Sequence, residues 1–277
     1  MTRLIKLLVL LLAGNVFSAK AQSNLYDCEN SRNFAAYLFN TAQYELAVHE
    51  IERIQFFCTS DDNTSLLLLK SYRKLKNYHK AELYFEAYSL QQIGQMDDAF
   101  KKEYISLLMA GNNFEKTLEV LEQDISLSEQ TAYQLGSYLM LKNWEAAYQL
   151  SQRLEPVNNY TLAGLSAIAA KSYHAPRKKP WLATLMSVIL PGSGKAYCGN
   201  WGDGAVSLLF TASTGFFAYR AFNKYGPEKV YPWIAGGLAV SYYAANIYGG
   251  NRAAVRYNDE LEHQFIHETE ELLDIAR

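Results

Sequence analysis

The stretch over residues 180–204, PWLATLMSVILPGSGKAYCGNWGDG, constrains the fold more than any other part of the chain. Ten mostly apolar residues, 181–190, end at Pro191 and are followed by two clusters of glycine. Ten residues are too few to cross a bilayer as one helix, which takes about 20. The proline and the glycines also prevent such a helix from continuing. We therefore predict a broken, partly inserted membrane element over 181–203 that docks against a helical hairpin.

Two long apolar segments, 204–222 and 231–249, supply that hairpin, and each is close to the length of a membrane span. Small residues recur every four positions in both, a spacing that lets helices approach closely in lipid. These span-packing residues are Ser207, Thr211, Gly215, Gly237, Ser241, Ala245 and Gly249. We predict a membrane domain over 176–250. A buried soluble hairpin and a three-span arrangement are the alternatives.

The motif in this domain is Pro191-Gly192-x-Gly194-x-x-Tyr197-x-Gly199-x-x-x-x-Gly204, followed by an apolar hairpin. It resembles the bacterial two-transmembrane-span domain family. The resemblance implies a structural bend near the bilayer surface and no catalytic activity. That family commonly carries Gln at the position of Lys195, so the resemblance assigns no role to this lysine. The sequence Gly192–Lys195 does not complete a nucleotide-binding phosphate loop, because Ala196 stands where Ser or Thr is needed.

A repeated pattern occupies the chain before this domain. Four times a polar residue precedes an aromatic residue, and a small residue stands three positions after the aromatic. These predicted repeat-core pairs are Tyr44 with Ala47, Tyr78 with Ala81, Phe114 with Thr117, and Trp144 with Ala147. The aromatic residues are 34, 36 and 30 positions apart.

This period, with an amphipathic helix on each side of the motif, resembles the tetratricopeptide repeat family. The resemblance implies helix–turn–helix pairs stacked as a solenoid over 22–175. Such arrays present a surface to a protein partner and do not supply catalysis. An irregular helical bundle is the alternative.

Residues 1–21 have the pattern of a secretory signal peptide. Arg3 and Lys6 precede an apolar run, and Ala19-Lys20-Ala21 supplies small residues at a cleavage site. An uncleaved anchor is the alternative, although the apolar run is short for a span. We therefore expect an integral protein of the bacterial cell envelope, with its repeats on the periplasmic side.

Export to an oxidising compartment gives the cysteines a role. Cys28 and Cys58 lie just outside the two ends of the first predicted helix pair, where an antiparallel hairpin brings its ends together. We predict a disulfide between them, with two unpaired apolar cysteines as the alternative. Cys198 has no histidine near it in sequence, so we expect it to pack rather than react.

The C-terminal residues, 251–277, show helical spacing of apolar residues opposite an acidic face, which predicts an amphipathic helix. His263 and His267 are four residues apart but lack the glutamate of a zinc protease motif. The 26 Lys and Arg residues against 28 Asp and Glu argue against nucleic-acid binding.

The whole chain is therefore predicted to be all-α, with no cofactor, metal, nucleotide or catalytic group. Its predicted function is that of a membrane-anchored, non-enzymatic scaffold whose exported repeats bind a protein partner. The alternative is a component of a membrane transport or protein-insertion system that uses the glycine-rich broken segment. Lys195 favours this alternative, because charges within membrane segments are often functional.

Overall fold

A computed structural model describes residues 25–59, 61–88, 97–122, 129–154 and 159–273. In these ranges the protein forms thirteen helices and no strand, which confirms the all-α prediction. The predicted signal peptide, 1–21, lies outside the described residues. The chain divides into two compact units, Met1–Leu127 and Ser128–Arg277.

The first unit contains three consecutive helix pairs. Its helices are α1 (Cys28–Asn40), α2 (Tyr44–Phe57), α3 (Asp62–Lys74), α4 (Tyr78–Tyr88), α5 (Asp98–Ala110) and α6 (Phe114–Leu121). Asp27 and Asp61 begin α1 and α3 by accepting a hydrogen bond from a backbone N–H three residues later. Contacts join α2 to α3 and α4 to α5, so each pair also packs against the next.

The same three-residue turn joins the two helices of each pair, and it occurs again between the first two helices of the second unit. Its middle residue has a left-handed backbone with φ of 56–59° at Ala42, Lys76, Asn112 and Lys142. In each turn, three consecutive backbone N–H groups return to carbonyls of the preceding helix. The carbonyls at the helix end are thereby satisfied, as in C-terminal capping motifs. The repeat in sequence is therefore also a repeat in backbone conformation.

The small residues of the repeat pattern are completely buried. Ala47, Ala81, Thr117 and Ala147 each have 0% exposure, which lets the paired helices approach closely. The aromatic residue three positions earlier is buried at Phe114 and half-buried at Tyr44, Tyr78 and Trp144.

A disulfide joins Cys28 to Cys58, with their Cα atoms 5.9 Å apart. These residues are the first residue of α1 and the C-cap of α2, so the bond closes the open end of the first helix pair. The half-buried ion pair between Arg32 and Asp61 lies close to the bond in sequence.

The second unit contains the fourth helix pair and the C-terminal part of the chain. Its helices are α7 (Gln130–Met140), α8 (Trp144–Gln152), α9 (Tyr160–Tyr173), α10 (Pro180–Ile189), α11 (Ser193–Tyr197), α12 (Trp201–Tyr225) and α13 (Val230–Leu273). A core formed by α7, α8, α9 and the C-terminal part of α13 includes Leu135, Leu139, Leu165 and Phe265.

This core places the division between units elsewhere than predicted. We expected the repeats to end at residue 175, but the fourth pair and α9 belong to the second unit. The physical reason is α13: the buried Phe265 ring contacts Trp144 edge-on, with ring centroids 5.8 Å apart. The side chains of Leu272 and Leu273 lie against Gly164 and Gly136.

The predicted second span, 231–249, and the described residues of the predicted tail helix, 251–277, lie on one helix in the structure. Helix α13 runs through both segments without interruption from Val230 to Leu273. Its one proline, Pro232, lies in the first turn, where a missing N–H costs no hydrogen bond. Among the residues described, no helix combines the length and the apolar character needed to cross a bilayer. The expectation of spans at 204–222 and 231–249 is therefore not supported.

Candidate functional site

The glycine-rich break lies between α10 and α12 and packs against the middle of α13. Helix α10 ends at Ile189 because the next residues are Leu190 in an extended conformation and Pro191, which has no N–H. Gly192 follows with φ of +86°, and a single short helix, α11, turns the chain toward α12. We call residues 180–204, with the α13 residues that contact them, the break site.

Side chains from α13 satisfy the polar groups that the break exposes. The carbonyl of Ser187 would ordinarily accept from the N–H four residues later, but that residue is Pro191. Asn246 takes its place: Nδ2 donates to the Ser187 carbonyl at 2.9 Å, and Oδ1 accepts from the N–H of Gly192 at 2.7 Å. The Tyr243 hydroxyl donates to the carbonyl of Val188 at 2.7 Å. The C-terminal end of α10 is thus capped by side chains of a distant helix.

Three glycines of the break site allow the backbone segments to touch. A Cβ atom on Gly192 would overlap the carbonyl oxygen of Gly204, and one on Gly194 would overlap the carbonyl oxygen of Ala183. On α13, a Cβ on Gly250 would overlap the hydroxyl of Ser187. Gly199 also has a positive φ, of +88°, but no neighbouring atom lies near its missing Cβ. The motif glycines therefore serve two needs, close approach and left-handed backbone.

The entry to α10 is held by a second asparagine of α13. The N–H of Lys178 donates to Oδ1 of Asn258 at 2.8 Å, and Nδ2 of Asn258 donates back to the Lys178 carbonyl at 2.8 Å. The Lys178 ammonium lies 4.5 Å from the ring centroid of Tyr197 and 5.4 Å from that of Tyr257. Asn246 and Asn258 thus fix both ends of α10 to one helix.

Cys198 lies in a small core with Ala183, Ala253 and Ala254 and is 5% exposed. Burial raises the pKa of its thiol above the ordinary value, and the nearby Lys178 opposes this only in part. A raised pKa keeps the thiol protonated and unreactive at neutral pH. The contacts of Cys198 are therefore those of a packing residue.

Lys195 projects from α11 into the space between α12 and α13. Its Nζ donates to the hydroxyl of Ser207 at 2.7 Å. A Cβ on Gly249 would lie only 2.9 Å from the Lys195 Cε, so the absence of a side chain there leaves room for the lysine. Of the predicted small-residue positions, Ser207 and Gly249 thus contact the lysine.

Three of the other predicted span-packing residues do not lie in a helix contact. Nothing approaches the Cβ position of Gly215 or Gly237 within 4 Å, and Ser241 is exposed. Aromatic pairs contact each other across the two helices instead, with Phe210 stacked on Tyr242 at 5.9 Å. A second pair, Phe222 and Trp233, meets edge-on at 5.4 Å. The predicted stripe of small residues alone therefore did not locate these ring contacts.

Replacing Asn246 with alanine is expected to lower the free energy of unfolding of the second unit by about 3 kcal/mol. The substitution removes two hydrogen bonds and leaves the N–H of Gly192 and the carbonyl of Ser187 without partners. Chemical unfolding in a neutral detergent, followed by circular dichroism, measures the effect.

Asn251→Ala is the matched control. Asn251 is half-buried and donates only to the Thr184 hydroxyl at 3.1 Å, so its loss is expected to cost about 1 kcal/mol or less. Equal losses for the two variants would contradict the capping role of Asn246.

Among the described residues, no group of three His, Cys, Asp or Glu side chains could hold a metal ion. Sequence reasoning identified the glycine motif but missed Asn246, Asn258 and Gly250. The signal for Asn246 was present, since it is an amide inside an apolar segment.

No known protein family, curated protein or solved structure matches this chain.

Proposed function

We propose that this chain is a membrane-associated, non-enzymatic scaffold of the bacterial cell envelope. In this proposal the second unit contacts lipid, and the helix pairs form a solenoid that binds a protein partner outside the cytoplasm. The predicted signal peptide and the resemblance to tetratricopeptide repeats support the location and the partner class. The surface of the second unit supports the contact with lipid.

The observation that carries the proposal is the exposed apolar surface of α10, α12 and α13. Most of the exposed large apolar side chains lie between residues 181 and 248. Leu209 and Val240, for example, are 66% and 69% exposed. Soluble monomers rarely leave large apolar patches in water, so the many exposed apolar side chains on helices that pack together indicate a contact with lipid or protein.

The ends of this apolar surface favour lipid as the contact. Trp181, Trp201, Tyr231 and Trp233 are exposed near helix ends, where interfacial aromatic residues are typical. The cations of residues 177–179 lie directly before α10, and such residues favour anionic head groups.

Flotation of the purified full chain with liposomes tests this contact. We expect the chain to float with vesicles of phosphatidylethanolamine and phosphatidylglycerol. Replacing both Leu209 and Val240 with asparagine should lower the bound fraction relative to free by about tenfold or more, because two apolar side chains lose their burial in lipid.

A matched variant replaces Leu46 and Leu83, which are 52% and 53% exposed on the first unit, with asparagine. This variant should float like the unchanged chain. Failure of the unchanged chain to float, or its recovery as a detergent-free dimer that buries the surface, would overturn the lipid contact.

The first unit offers a groove suited to a protein partner. An open cavity of about 550 Å³ lies between α1 and α3 and is lined by Arg32, Ala36, Asp61, Thr64 and Leu67. Also on α1, but outside the residues that line this cavity, the exposed rings of Phe34 and Tyr37 stack at 6.4 Å. Exposed aromatic residues are frequent anchors in protein interfaces.

A photo-reactive residue at position 36, in cells producing the full chain, tests this groove. We expect one discrete cross-linked protein from position 36 and none from position 80, an exposed residue of α4. Identical patterns from both positions, or no cross-linked product from position 36, would argue against a partner in the groove.

A second candidate function is a part in membrane transport or protein insertion. The observation favouring it is Lys195, a half-buried cation between helices whose outer surfaces are apolar. If cells that produce Lys195→Ala at an unchanged protein level show the same defect as cells that lack the protein, this function is favoured. An unchanged phenotype would favour the scaffold.

A further inference from the structure

A small pocket surrounds the end of the Lys195 side chain. It lies between α12 and α13 and has a volume of about 230 Å³. Its polar lining consists of Lys195, Ser207, Thr211 and Asn246, and its largely apolar lining of Val206, Phe210, Tyr242 and Ala245. The pocket thus combines one cation with hydroxyl groups and an apolar wall.

The cation in this pocket lacks a negative partner. Lys195 is half-buried, and its Nζ donates to the neutral hydroxyl of Ser207. In the described parts of the chain, no Asp or Glu forms an ion pair with it. An ammonium group has three donors, so two are left for a ligand. A partly buried charge is stabilised when an opposite charge binds beside it.

The apolar wall continues outward from the cation. Val206, Phe210 and Tyr242 line the pocket and are 54%, 51% and 44% exposed. The rings of Phe210 and Tyr242 stack on each other with their centroids 5.9 Å apart. A ligand that matches both parts carries an anionic head on an apolar chain.

We propose that the Lys195 pocket binds an anionic amphiphile. The head group accepts hydrogen bonds from the Lys195 ammonium and the Ser207 hydroxyl, and the chain lies along Val206, Phe210 and Tyr242. A carboxylate and a phosphate monoester share this chemistry, so either can supply the head group. The inference goes beyond the scaffold function, because a single amphiphile can fill the pocket whether or not the protein contacts a bilayer.

The test is displacement of a fluorescent fatty acid, dansylamino-undecanoic acid, from the purified full chain in a neutral maltoside detergent. The competitors are dodecanoate, dodecyl phosphate and dodecanol. We expect one or both anions to displace the probe at a concentration at least about tenfold lower than the alcohol, because charge-assisted hydrogen bonds favour them. Displacement by dodecanoate alone assigns a carboxylate ligand, and displacement by both anions assigns an anionic head group in general.

Variants locate the binding in this pocket. Lys195→Met keeps most of the side-chain volume and should weaken probe binding at least about tenfold. Ser207→Ala should weaken it less, and Lys224→Met, at an exposed lysine of α12, should leave it unchanged. Equal displacement by dodecanol and both anions in the unchanged chain overturns the proposal without any variant. Unchanged probe binding in Lys195→Met also overturns it.

Discussion

Gly192→Ala is expected to destabilise the second unit by more than about 3 kcal/mol, the largest effect of any single substitution considered for this protein. Two causes combine. The φ of +86° is a left-handed conformation that costs an L-residue about 1–2 kcal/mol. The added Cβ would also overlap the carbonyl oxygen of Gly204, a backbone atom that cannot move without displacing α12.

Gly199→Ala separates these two causes. Gly199 has nearly the same φ, +88°, but nothing lies within 4 Å of its missing Cβ. Its substitution should therefore cost only the conformational part, about 1–2 kcal/mol. Thermal and chemical unfolding of both variants in the same neutral detergent give the comparison. Equal losses of stability in the two variants would show that the close approach to Gly204 is not the reason why position 192 requires glycine.

The second large effect is expected from the disulfide. Replacing both Cys28 and Cys58 with serine should lower the free energy of unfolding of the first unit by about 3–4 kcal/mol. The bond closes a loop with a sequence separation of 30, and its removal raises the conformational entropy of the unfolded chain. In urea, the unfolding midpoint should fall by about 1–3 M.

Reducing agent provides the control for this variant. It should lower the midpoint of the unchanged chain to the same extent and have no effect on the double-serine variant. The buried thiol of Cys198 is present in both, so its contribution cancels. A double-serine variant as stable as the oxidised chain would contradict a stabilising role for the bond.

The helix pairs could be predicted from the sequence because the features that form them are close together in the chain. Each pair needs an apolar face, a short turn and a small residue at the contact, and these lie within about 34 residues of one another. The turn conformation itself was not predicted. Ala42, Lys76, Asn112 and Lys142 have left-handed backbones, although none of them is the glycine that normally signals one.

The break site was predicted in part for the same reason. Pro191 ends α10 through its missing N–H, an effect that any proline has, and the glycines nearby indicated unusual backbone. The residues that form hydrogen bonds with the break could not be predicted from the sequence, because Asn246 lies 54 residues from Gly192 in the chain. Only the fold brings its amide to the end of α10.

The sequence by itself determined where helices form and where one must end, since periodicity, turn residues and proline act over a few residues. Tertiary structure alone decided that α13 is continuous, that the fourth helix pair joins the C-terminal unit, and that aromatic rings pair between α12 and α13. Those outcomes depend on which distant apolar surfaces bury one another best. For the fourth pair this surface is that of Phe265, because residues of α7, α8 and α9 bury its ring.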